Sequence, residues 1–400
     1  MREYHARMRI CLATRQYPVV TETFVADSAS ALQRDGHEVR LVARRCARGP
    51  EDQSPDLDAA PVGHWSARAA DLMRHPGRWR ADVARARRVT STRFASVWDA
   101  PYRARLDAVA GADCLLAHFG YVAVDWLPVA LLAGRPFAAF FHGSDITKWQ
   151  RRNPRFYDHL FASGAGLLTN SEFLRGRLID SGARPDRVRV VPLAAHETFA
   201  AVPTSPPLEQ PLVVTISRLV EKKGVDDALA AFAEASRIIG DRWRYVVVGD
   251  GPERRRLRRL AGSLGIGDRV DFVLRATRLD ILRLLNASSI FLQGSRTASN
   301  GDTEGTPIAL LEAATLGLPI VATSHAGIPE MLPPDAATSG FLVGERAVTA
   351  MSAAIVRLAA SQDERRDWAR ACMACARQRT PAREGRELSD ALRAVAAVPA

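Results

Sequence analysis

Lysine is almost missing from this chain: of its 400 residues only Lys148, Lys222 and Lys223 are lysines, so nearly all of the 55 basic residues are arginine. Long apolar runs are missing too. No stretch approaches the roughly 18 consecutive apolar residues that a membrane-spanning helix needs. The basic opening MREYHARMRICLAT has too short an apolar run for a secretory signal, and Arg15 follows it at once, so the expected location is the cytoplasm. Cysteine is scarce, with five scattered residues (Cys11, Cys46, Cys114, Cys372 and Cys375), an odd number that suits a reducing compartment. Cys372 and Cys375 form a CxxC inside the helical-looking run DWARACMACARQ, with no second pair and no neighbouring histidine, and read as two thiols on a helix face. Aromatic residues make up 7% of the chain and are not interleaved with the basic runs, which argues against a single-strand nucleic-acid groove. The one D-x-D, Asp56-Leu57-Asp58, lies in a loop far from any strand end and reads as a solvated acidic loop. No metal site and no cofactor are expected.

What is present is a globular composition, 47% hydrophobic and 25% charged, in a chain too long for one ordinary core. The net charge of +11 is uneven, since residues 1–205 hold 29 basic and 21 acidic residues and carry +8 of it. That balance fits an anionic partner, either a membrane surface or a phosphorylated acceptor.

Read by periodicity, the chain alternates strands and helices. RICLAT (9–14), EVRLVA (38–43), DCLLAH (113–118), FAAFFH (137–142), GLLTNS (166–171) and RVRVVP (187–192) are short apolar runs of the kind buried on both faces of a parallel sheet. The helical segment TFVADSASALQRDG closes on Gly36. Residues 60–110 are Arg-rich and weakly periodic and read as a solvent-facing helical insertion. AAVPTSPPLEQP (200–211), with four prolines, reads as a linker. The alternation then restarts with PLVVTIS, YVVVGD, VDFVL, SIFLQGS, PIVATS and GFLV, and ends in long amphipathic helices after residue 345. The expected fold is α/β, two Rossmann-like doubly wound domains at 1–205 and 206–400 facing each other across a cleft, the last helix packing back on the first domain. In such sheets ligands sit at the carboxyl ends of the strands.

Two stretches at strand ends of the second half carry chemistry. SRLVEKKG (217–224) places Arg218 and Lys223 before Gly224 and a helix, a guanidinium fork and an ammonium at a helix N-terminus, which suits a pyrophosphate. EGTPIALLEAATLGLP (304–319) reads as a helix with Pro307 in its first turn, and carries Glu304 just before it and Glu312 within it. The backbone of Gly305, Thr306, Pro307 and Ile308 then lies at the positive end of that helix, where amide donors suit phosphate or sugar oxygens. A vicinal diol, as on a ribose, offers a buried carboxylate two donors.

The E-x7-E of Glu304 and Glu312, with SRLVEKKG, VVGDGPERRRL and SHAGIPE, resembles the retaining nucleotide-sugar glycosyltransferases of family 4, which have the GT-B fold. In the first half YPVVTETFVADSASALQRDGHEV, FHGSDI, LLTNSEFLRGRL and VVPLAAHETF resemble the same family, in particular its polysaccharide-assembly branch. The resemblance implies that Arg218 and Lys223 bind the donor pyrophosphate. Glu304, helped by the backbone from Gly305 to Ile308, would hold hydroxyls of the transferred sugar, and Glu312 the ribose diol. His142 in FHGSD would face the donor sugar, and backbone around Arg275–Arg278 would hold the base, with uridine favoured. It further implies retention by front-face attack, in which the leaving phosphate takes the acceptor proton and no metal is needed. The family's glycines after the first strand are absent, and TRQYPVVTETF stands there instead. That segment is expected to line an acceptor entrance, with Arg15, Glu22 and His118 as candidate residues. The acceptor is expected to be a lipid-linked or polysaccharide-precursor glycan at the inner membrane face, with a soluble natural product or aminocyclitol as the alternative. An epimerase, which would consume donor without any acceptor, and a non-catalytic sensor, which would not need Arg218 and Lys223 together, are the rival readings.

Overall fold

The structure, a computed structural model, describes residues 7–19, 22–46, 59–61, 102–201 and 211–397. The acidic loop with Asp56-Leu57-Asp58, most of the Arg-rich stretch between 60 and 110, and all but the ends of the proline-rich 200–211 segment lie outside the described residues.

The chain divides into two compact units. The first takes in the described residues of Met1–Asn170, Leu174–Pro192 and Ala382–Ala400. Its strands are β1 (Arg9–Tyr17), β2 (Glu38–Cys46), β3 (Ala59–Pro61), β4 (Cys114–His118), β5 (Phe137–Phe141), β6 (Gly166–Thr169) and β7 (Val188–Val190). They form one parallel sheet in the order β3-β2-β1-β4-β5-β6-β7. Leu12 of β1 sits in register with Leu41 on one side and Leu116 on the other, all fully buried. Every residue of β4 and β5 is buried, which is why their sequences are continuous apolar runs with no alternation. β1 runs three residues beyond the apolar run that announces it. Arg15 therefore lies on the strand and not in a following loop, because Tyr17, itself buried, still pairs with Cys46.

The second unit comprises Ser171–Phe173 and Leu193–Pro381. β8 (Leu212–Ile216), β9 (Arg244–Val248), β10 (Val270–Val273), β11 (Ile290–Gln293), β12 (Ile320–Thr323) and β13 (Leu342–Val343) form a second parallel sheet in the order β10-β9-β8-β11-β12-β13. Its core is apolar, with Val214, Phe291, Leu310, Leu311 and Ile320 fully buried. The helix Val225–Ile239 lays Ala228, Leu229, Phe232 and Ala235 on that core, at the 3.6-residue spacing of its sequence.

In each sheet the strand order reverses at one place, between β1 and β4 in the first and between β8 and β11 in the second. Open α/β sheets leave a crevice at the carboxyl ends of strands at such a switch point. The C-terminal helix Pro381–Ala396 belongs to the first unit, against the helix Thr23–Arg34. Gly385 lets the two approach so closely that a Cβ there would lie 2.6 Å from the Ala31 carbonyl oxygen, and the buried Glu384 accepts a 2.7 Å hydrogen bond from Ser28 Oγ. Among the described residues no helix is long and apolar enough to cross a membrane.

Candidate active site

At the switch point of the second sheet the loops after β8 and β11 bring Lys223 and Glu304 together, with Arg218 in electrostatic reach. After β8 the chain makes a short turn of 3-10 helix, Glu221–Lys223, and reaches Gly224 at φ +56° before the helix Val225–Ile239 begins. Gly224 is required there twice over: a side chain strains that backbone, and a Cβ would sit 1.7 Å from the Gly294 carbonyl oxygen of the loop after β11. This close contact holds the two loops of the switch point together.

Between those loops the Lys223 ammonium lies 2.5 Å from Glu304 Oε2, both side chains about one-tenth exposed. Burial alone would push the Glu304 carboxyl up. The Lys223 and Lys222 ammonium groups and the Arg218 guanidinium outweigh it and hold the carboxyl at about 2, so Glu304 is ionised at neutral pH. Burial pulls Lys223 below the ordinary lysine range, with Lys222 and Arg218 adding to the effect and Glu304 opposing it. Arg218 itself is exposed at the end of β8. A buried carboxylate beside an ammonium, with an exposed guanidinium in electrostatic reach, is a preformed place for an anion whose other end carries hydroxyls.

Glu304 is followed by buried Gly305, Thr306 and Pro307. The helix proper is Ile308–Thr315, so Pro307 is its N-cap and not part of its first turn as the sequence suggests. The Pro307 carbonyl accepts the amide of Leu310 at 3.0 Å, and the missing N–H of proline costs nothing at that place. Glu312 is half-buried on the same helix, between the buried Leu311 and Ala313. Arg275 to Thr277 follow β10, and Thr277 caps the helix Arg278–Asn286 through a reciprocal box with Asp280.

In the first unit, His118 ends β4, one of the two strands at that sheet's switch point, and His142 directly follows β5, the strand next to β4. His118 Nδ1 and His142 Nε2 are 2.9 Å apart, with ring planes within 7° of each other. Phe24, Phe119 and Phe140 surround His142 at ring-centroid distances of 4.3 to 5.0 Å. Burial holds His118 down at about 3, and burial together with His118 holds His142 well below the ordinary histidine range. Both rings are therefore neutral at pH 7, and one N–H joins them. Arg15 and Glu22 both act on the half-buried Tyr121 phenol: burial raises its proton affinity most, Glu22 adds to that and Arg15 opposes it. Arg15, Glu22 and His118 thus belong to one neighbourhood of the first unit with His142.

Three devices here are not visible to motif reading. Fully buried Asp145 accepts hydrogen bonds from the amides of Gly120, His142 and Gly143 at 2.9 to 3.1 Å and so fixes the backbone that carries His142. The acid placed after Gly-Ser in FHGSD was the available signal, since such acids commonly bond nearby amides. Lys222 is not a ligand candidate at all: it bonds Asp302 at 3.0 Å and the Thr303 carbonyl at 2.8 Å, and so pins the loop that delivers Glu304. Buried Arg296 reaches Asp227 at 2.5 Å and Asp226 at 2.9 Å, and ties the same loop to the helix after Gly224. Cys372 and Cys375 are both free thiols on the helix Gln362–Ala376.

Two tandem parallel units of doubly wound type, each with its polar residues at the strand ends of its switch point, define the GT-B class of glycosyltransferase fold. Solved structures agree: the HepE protein of Anabaena, in complex with UDP and glucose, superposes with a TM-score of 0.73 over 97% of this chain and all of its own, at 17% identity. Family profiles match both halves, "Glycosyltransferase Family 4" over residues 21–196 and "Glycosyl transferases group 1" over 199–372. Among the relatives, WcaL of Salmonella typhimurium, proposed to be a colanic acid biosynthesis glycosyltransferase, is 29% identical over 86% of this chain and 89% of its own. The GDP-mannose-dependent α-(1-6)-phosphatidylinositol monomannoside mannosyltransferase of Mycobacterium tuberculosis is 30% identical over 81% of this chain and 83% of its own. The chain belongs to glycosyltransferase family 4, and it is a glycosyltransferase.

Proposed function

We propose that the enzyme moves a sugar, with retention of anomeric configuration, from a nucleoside diphosphate sugar to a lipid-linked glycan in polysaccharide assembly. The observation that carries the proposal is the buried Lys223–Glu304 pair with Arg218 beside it. As the bond from the anomeric carbon to the phosphate oxygen breaks, negative charge grows on the leaving diphosphate. Arg218 and Lys223 stabilise that charge where it develops, which makes metal-independent transfer chemically reasonable. An ammonium has three donors, so Lys223 is able to keep Glu304 and still bond a phosphate oxygen. Glu304 accepts hydrogen bonds from hydroxyls of the transferred sugar, assisted by backbone from Gly305 to Ile308, and Glu312 accepts from the ribose. The neutral His142 serves as a hydrogen-bonding group for a sugar hydroxyl. The acceptor oxygen forms the new bond to the anomeric carbon, and its proton passes to the leaving phosphate.

The UDP bound by HepE favours a uridine donor, while the GDP-mannose named for the mannosyltransferase relative favours guanosine; we take UDP-sugars first. A lipid-linked acceptor is supported by the lipid substrate named for that relative. It is supported also by a basic surface in the first unit, where Lys148, Arg151, Arg152 and Arg155 flank the exposed Trp149 and suit an anionic membrane face.

The test is transfer of radiolabelled sugar from UDP-glucose, UDP-galactose or GDP-mannose into the lipid fraction of membranes from a strain lacking the enzyme. The expected result is label in that fraction, in the anomeric configuration of the donor and undiminished by EDTA. Label entering only water-soluble products, or an inverted linkage, contradicts the proposal.

A further inference from the structure

His325 and Glu345 have no part in the reading above, yet they form a buried polar chain that ends on its central carboxylate residue. His325 is 3% exposed, just past β12. Its Nε2 accepts the backbone amide of Glu304 at 3.0 Å. A ring nitrogen that accepts carries no hydrogen, so the hydrogen of the neutral ring is on Nδ1, which lies 2.5 Å from Glu345 Oε1 and donates to it. Glu345 is held in turn: its other oxygen accepts the Thr297 amide at 3.0 Å, and Thr297 Oγ1 reaches Oε1 at 3.3 Å. Burial works against the Glu345 charge, but these bonds from His325 and Thr297 keep its carboxyl below the ordinary range. The loop Thr297–Glu304 is thus gripped at both ends by one carboxylate and histidine pair, in the manner in which an outer carboxylate sets the tautomer and direction of a working histidine.

The grip is local and tight. Gly327, two residues after His325, lies against the Gly305 carbonyl so closely that a Cβ would stand 2.6 Å from its oxygen. The backbone on both sides of the Glu304–Gly305 peptide is therefore set by the turn that holds His325. Lys223 and Lys222 fix the other flank, through the Glu304 carboxylate and through Asp302 and Thr303. With its amide and its carboxylate held from opposite sides, Glu304 has one orientation to offer a ligand.

We propose that His325 is a positioning residue: held as the Nδ1–H tautomer by Glu345, it orients the Glu304 backbone so that the carboxylate meets the sugar of the donor. This rests on the reading of Glu304 as the sugar-binding carboxylate. The inference concerns the sugar and not the nucleotide, so the two separate in a binding experiment.

The test is calorimetric titration of the full chain with UDP, GDP, UDP-glucose and GDP-mannose. The variants are His325→Leu, which fills the space with no acceptor, His325→Gln, whose side-chain oxygen accepts from the Glu304 amide, and Glu304→Ala. The expected result is a loss of about tenfold in sugar-nucleotide affinity for His325→Leu, while the matching free nucleotide changes by less than about twofold. His325→Gln is expected to recover most of the loss. If Glu304→Ala lowers sugar-nucleotide affinity and His325→Leu does not, the positioning role is overturned and the reading of Glu304 stands. If Glu304→Ala leaves that affinity unchanged, the reading of Glu304 fails and the inference fails with it. If both histidine variants lose the free nucleotide as well, His325 is a structural residue of the loop and the inference is overturned.

Discussion

At the scale of single residues, Lys223 and Glu304 are worth more as partners than as neighbours of solvent. Removing one member of a buried pair strands the other charge, which costs about 3 kcal/mol or more, whereas replacing both by apolar groups costs much less. Lys223→Met and Glu304→Leu are each expected to lower the unfolding free energy by about that amount, and the double variant by clearly less than their sum, in a denaturant double-mutant cycle. His118 makes a second prediction. Its pKa in the folded protein, about 3, is below the ordinary histidine value, so the unfolded chain binds the proton first as pH falls. The stability it contributes is complete above about pH 6.5 and is lost between there and about pH 3, with a slope on the order of 1 kcal/mol per pH unit. The unfolding midpoint of the first unit should fall across that window, and more gently in His118→Phe.

Much of the residue-level site was legible. Arg218, Lys223 and Glu304 were marked by position after strands and by charge type, and the structure brings Lys223 and Glu304 into contact with Arg218 in electrostatic reach. What was not legible are the partners that hold them. Lys222 meets Asp302 from 80 positions away and Arg296 meets Asp226 from 70, and no local period records a pairing made by two loops across a switch point. His325 was invisible for the same reason, because nothing adjacent in sequence says that its ring faces a backbone amide.

At the scale of elements, the strands were the most legible part, since a strand buried on both faces must be apolar throughout. Ends were less so. β1 outlasts its apolar run because Arg15 and Gln16 are exposed while Gln16 and Tyr17 still pair with β2, and Pro307 caps its helix instead of opening it. The glycines separate structural need from composition. Gly224→Ala places a methyl group on the Gly294 carbonyl and strains a left-handed backbone, so a loss of at least about 2 kcal/mol is expected, with weakened nucleotide binding. Gly176→Ala, on an exposed helix position with open space around it, is expected to be neutral or to stabilise by up to about 1 kcal/mol. Thermal unfolding of the two variants side by side checks both.

At the scale of the whole molecule, the last helix is built into the first unit although it follows the second in sequence. His37 accepts the Met8 amide at 3.1 Å and reaches Ser389 Oγ at 2.9 Å, and Glu384 meets Ser28. Truncation before Pro381 exposes these groups and the apolar face of Thr23–Arg34. It is expected to lower the melting transition of the first unit while leaving that of the second nearly unchanged, as calorimetry would resolve.

The central claim is that the switch point of the second sheet binds the diphosphate of a nucleotide sugar through Arg218 and Lys223. The most direct measurement is the dissociation constant of UDP and GDP for the intact enzyme and for Arg218→Ala and Lys223→Ala, with Gly176→Ala as the control. Binding of one nucleotide by the intact enzyme and the control, weakened at least about tenfold in each cationic variant, is the predicted result. Binding of neither nucleotide by the intact enzyme, or an affinity in both cationic variants unchanged from that of the intact enzyme, would contradict the account.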